Sequence, residues 1–144
     1  HPGVARIRER ELAEEASRQA AYLAKVTGAK LYLLFVEDKT KTFGVLASGS
    51  PEWKKIEQQW IKEGHSILDH EEERLKSLHV ITEMEKIIRR GNVADEINAL
   101  AKEKNADLIL LASQKKSPLG KLLMGSNTYG VFTKAPCPIL RIVR

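Results

Sequence analysis

Ser113, Gln114, Lys115, Lys116 and Ser117 follow the run Asp107-Leu108-Ile109-Leu110-Leu111-Ala112, and Gly125-Ser126-Asn127-Thr128 follow Leu122-Leu123-Met124. These residue types suit the binding of an anion. A short strand, a small basic loop and then a Gly-Ser pair able to open a helix leave free backbone N–H groups at the positive end of a helix dipole, and that end attracts negative charge. Ser126, with Asn127 and Thr128, offers hydroxyl and backbone donors to phosphate oxygens. The same residues also serve as a helix cap, and the two roles are compatible. Lys115 and Lys116 supply positive charge, as lysine does in other phosphate loops. A solvated basic loop that holds no ligand has the same composition.

Other chemistries find no support in the residue spacing. His1, His65, His70 and His79 do not form a metal-ligand pattern, and His65 and His70, five apart, turn away from each other on a helix. There is no Walker loop, no Gly-x-Ser-x-Gly elbow and no dinucleotide fingerprint. No catalytic residue or metal is therefore assigned, and the chain is not expected to be an enzyme, with slow ATP hydrolysis left open. Lysine and arginine number 24 against 19 aspartate and glutamate, a net charge of +5. The acidic residues are interspersed and no basic-aromatic stacking pattern occurs, so the charge reads as a solvated surface, with no nucleic acid as partner.

The chain has 144 residues, 42% of them apolar and 30% charged. One domain spanning residues 1–144 is expected, long enough to bury about two-thirds of the surface of the unfolded chain. No apolar run approaches the ~20 residues that span a bilayer, and no signal-peptide order opens the chain. Cys137 is the single cysteine, so no internal disulfide is possible and a reducing cytoplasm is the expected setting. Flanked by prolines, Cys137 reads as a small buried residue.

Alternating elements must position the loop. Leu12, Ala16, Ala20 and Leu23 or Ala24 recur at helical spacing between about Ile7 and Val26, after a non-helical His1-Pro2-Gly3, and Thr27-Gly28 supplies a stop. Leu31-Tyr32-Leu33-Leu34-Phe35-Val36 is continuously apolar, the pattern of a parallel strand covered on both faces, with Glu37-Asp38 ending it. Lys39 to Pro51 reads as a long loop. Ser50-Pro51 opens a long amphipathic helix to about Ser77, carrying Trp53, Ile56, Trp60, Ile67, Leu68 and Leu75, with a break near Gly64. Trp53 and Trp60 read as packing residues. His79 to Ile88 reads as a strand near an edge, and Arg89-Arg90-Gly91 as a turn before a helix capped by Asn92. A strand at Leu108–Ala112, a helix from about Gly125 to Thr133 and a strand at Ile139–Val143 complete the order. Strands and helices alternating at this spacing predict an α/β fold with a mainly parallel sheet.

The loop resembles that of the universal stress protein family, whose pattern is Gly, two residues, Gly, nine residues, Gly and then Ser or Thr. Gly125-Ser126 match its end, and Ala112 and Lys115 stand at the two earlier glycine positions. Gly91-Asn92-Val93-Ala94-Asp95-Glu96-Ile97 and Ala135-Pro136-Cys137-Pro138-Ile139-Leu140 are similar to the family's phrases on either side, and the resemblance runs from roughly Leu12 to Val143. It implies a Rossmann-like three-layer α/β sandwich, and a regulatory or stress-response module that dimerises through its C-terminal strand. The implied cofactor is ATP or AMP, held by Val36, Ala112, Ser113, Lys115, Gly125, Ser126 and Asn127. With two glycines replaced, nucleotide binding is expected to be weak or lost. The alternatives are an ATP- or AMP-dependent switch, or a cytoplasmic regulatory domain of a membrane transporter.

The family fold also begins with a central strand followed by an acidic residue. Here about eleven residues precede Leu12, and Val4-Ala5-Arg6-Ile7-Arg8 is too charged for a strand covered on both faces. That strand is expected to be missing: it precedes His1, another chain supplies it, or the N-terminal segment adapts.

Overall fold

An unbroken apolar strand such as Leu31–Val36 needs cover on both faces, and helices supply it. The computed structural model describes residues 2–38, 50–113 and 133–143. In chain order the elements are α1 (Pro2–Thr27), β1 (Leu31–Asp38), α2 (Pro51–Ser77), β2 (Met84–Gly91), α3 (Val93–Glu103), β3 (Ile109–Ser113) and β4 (Ile139–Val143). β1 pairs in parallel with β2 from Leu31↔Met84 to Asp38↔Gly91. β3 pairs in parallel with β4 from Ile109↔Ile139 to Ser113↔Val143. Among the described residues these are two separate two-stranded sheets.

Side-chain alternation along β1 sorts the helices into layers. Leu31 and Leu33 pack against Ala21, Ala24 and Leu75, and Phe35 reaches Gly64, so α1 and α2 cover that face. Tyr32 points the other way, with the Lys104 ammonium beyond the end of α3 at 5.6 Å from its ring centre. Ala94 and Ala101 of α3 pack with Ile109 and Ile139 at the starts of β3 and β4. The result is a mixed α/β architecture in three layers: α1 and α2, then strands, then α3.

The helix ends follow their local chemistry. Ser50 caps α2, its hydroxyl accepting from the Trp53 N–H at 3.1 Å, with Pro51 opening the first turn. Asn92 caps α3 by accepting from the Asp95 N–H at 3.0 Å, and Asp95 and Glu96 sit at the positive end of the dipole. Gly28, at φ +72°, takes the left-handed conformation that ends α1.

Three boundaries differ from the sequence reading. α1 starts at Pro2, so Pro2 and Gly3 are helical: proline suits the first helical turn, where an N–H has no partner in any case. The strand expected over His79–Ile88 lies at Met84–Gly91, and Arg89, Arg90 and Gly91 belong to it and do not form a turn. The reason is local to the end of α2. His79 adopts φ +68°, Val80 donates back to the Leu75 carbonyl at 3.1 Å and is buried as a plug, and Ile81 is left 95% exposed. Glu37 and Asp38, taken as the end of the first strand, continue it in register with Arg90 and Gly91. Of the helix expected over Gly125–Thr133, only Thr133 lies within the described residues, and it is helical with Lys134.

Candidate functional site

The expected nucleotide residues divide between described and undescribed parts of the chain. Val36 lies near the carboxyl end of β1, half-buried, on the face that α3 covers. Ala112 and Ser113 close β3, and the Ala112 side chain is exposed. Lys115, Gly125, Ser126 and Asn127 lie outside the described residues. Carboxyl ends of parallel strands are where open α/β sheets receive ligands. Ala112 pairs with Ile142 in a regular parallel ladder and is not among the residues of positive φ. An extended conformation is open to any residue, so glycine is not needed at position 112 for backbone reasons.

A second arrangement at the carboxyl end of β1 is absent from the sequence reading. Glu37, 8% exposed, stands in register opposite Arg90 of β2, whose Nε donates to it at 3.2 Å. Arg90 also donates to Glu57 of α2, and the Trp53 indole N–H donates to the same Glu57 carboxylate at 3.2 Å. Trp53 meets Trp60 edge-on, with ring centres 6.0 Å apart and planes at 89°. Burial opposes the charge on Arg90, but hydrogen bonds and charge from Glu57 and Glu37 outweigh it and hold the guanidinium above its ordinary pKa. The network anchors the first turns of α2 to the carboxyl ends of two strands. Its sequence signal was the pairing of Glu37 with Arg90, hidden while Arg90 was read as a turn residue.

Two further features bear on chemistry. Cys137 packs beside Ala101, Ile109 and Ile139, and burial, then the charge of Asp107, pushes its thiol pKa up, away from the thiolate. A shallow depression of about 240 Å³ is lined by Asp95, Asn98, Ala99, Lys102, Lys134 and Pro136. Among the described residues, neither Val36 nor Ala112 nor Ser113 lines it. Among the described residues, no helix is long and apolar enough to cross a membrane.

Residues 7–143 match the universal stress protein family. The chain belongs to that family. Its relatives include the universal stress protein MJ0531 of Methanocaldococcus jannaschii, 32% identical over 126 residues, which covers 88% of this chain and 72% of the relative. Among solved structures, this family member resembles the universal stress protein UspA of Lactobacillus plantarum, with a TM-score of 0.68 and 25% identity over 91% of this chain and 89% of that one. It also shares its fold with a universal stress protein of Archaeoglobus fulgidus solved in complex with dAMP. There the TM-score is 0.62 at 21% identity, over 90% of this chain and 86% of that one. The Rossmann-like α/β class expected from the resemblance is thus the fold of this universal stress protein.

Proposed function

We propose that this universal stress protein is a regulatory, stress-response module and not an enzyme, acting as a homodimer through β4, with an adenine-nucleotide site that has been weakened. One observation carries the reading: Gly125-Ser126 close the loop pattern intact, while Lys115 stands at a position where the pattern has glycine. A β-carbon and a long cationic chain at 115 disfavour the positive φ that glycine accepts. The dAMP complex of the Archaeoglobus fulgidus relative supports an adenine nucleotide as the ligand class. AMP or ATP is then the candidate cofactor, its phosphates lying against the backbone N–H groups of Ser113 to Lys115 and of Gly125 to Asn127.

Calorimetric titration with ATP, ADP and AMP tests this. Millimolar or weaker binding is expected. Micromolar binding of ATP overturns the reading and favours a nucleotide-dependent switch. Lys115→Gly is expected to raise affinity, and Ala112→Gly alone to leave it unchanged, because Ala112 already lies in a regular strand.

A further inference from the structure

We draw no further inference here: the strongest candidate, the shallow depression of about 240 Å³ between α3 and Pro136, carries none, because its charged residues Asp95, Lys102 and Lys134 are all exposed and nothing in the structure shows what covers it.

Discussion

The ring of Phe35 fills the space that a side chain on Gly64 would need: a β-carbon there would lie 2.7 Å from Phe35 Cδ1 and 3.3 Å from Ile88 Cδ1. Alanine is the better helix former by about 1 kcal/mol, but at this point α2 lies directly on β1 and β2. Gly64→Ala is expected to destabilise by about 1–3 kcal/mol net, because overpacking outweighs propensity. Adding Phe35→Leu should recover part of that loss, and urea unfolding of the two single variants and the double variant checks the coupling.

Arg90 holds Glu37 and Glu57 together, and removing it leaves Glu37, 8% exposed, without its guanidinium. Breaking a fully buried pair costs about 3–5 kcal/mol; with Arg90 and Glu57 both about a quarter exposed, Arg90→Leu is expected to cost roughly 2 kcal/mol. Glu37→Gln on that background should restore stability by removing the stranded charge. A double variant no more stable than Arg90→Leu would show that Glu37 does not need the cation.

The Asp69–Lys86 pair contributes to two limbs of the pH dependence. The hydrogen bond from Lys86, at 2.7 Å, holds the Asp69 carboxyl below the ordinary range, and the same contact holds the Lys86 ammonium above its own. Asp69 therefore contributes stability above the ordinary carboxylate pKa, which is lost as pH falls through its lowered folded-state value. Lys86 contributes below the ordinary ammonium pKa, and its share is lost as pH rises through its raised value. Lys86→Met should return Asp69 to the ordinary range in a carboxyl-carbon NMR titration and remove its share of the acid limb. An unchanged Asp69 titration would count against the pair.

For assembly, β4 pairs with β3 along one edge, and the Ile109–Pro138 bond turns the backbone groups of Ile139 and Arg141 to the other. An apolar edge of this kind suits an isologous two-fold contact. Sedimentation is expected to find a dimer, with Ile142→Lys shifting it to monomer. A wild type that stays monomeric at high concentration, or a variant that stays dimeric, argues against β4 as the contact.

Legibility in the sequence followed periodicity and capping. Ser50-Pro51 and Asn92 marked helix starts to the residue, since each cap is a local bond. The His79–Gly91 segment was misplaced because its alternation is interrupted by Val80, buried against α2, and by Ile81, which faces solvent: both are apolar and neither is in a strand. Only pairing with β1 decides which residues of that segment are ladder, and pairing is not local. The loop pattern marked a candidate site, of which Val36 and Ala112 lie near the carboxyl ends of β1 and β3, while Lys115, Gly125, Ser126 and Asn127 lie outside the described residues. The Glu37–Arg90–Glu57 network was not legible, because it joins residues 53 and 33 positions apart.

Trp53 and Trp60 are the chain's only tryptophans, and both stand on the first half of α2, touching each other. Intrinsic emission excited at the red edge of the protein band thus comes from a single corner, quenched or released as α2, with Glu57, moves against Arg90 of β2. β3 and β4 carry no such chromophore. If the two pairs of strands melt separately, fluorescence will follow one of them and circular dichroism both, so a mismatch between the two curves would itself measure how loosely the halves are joined.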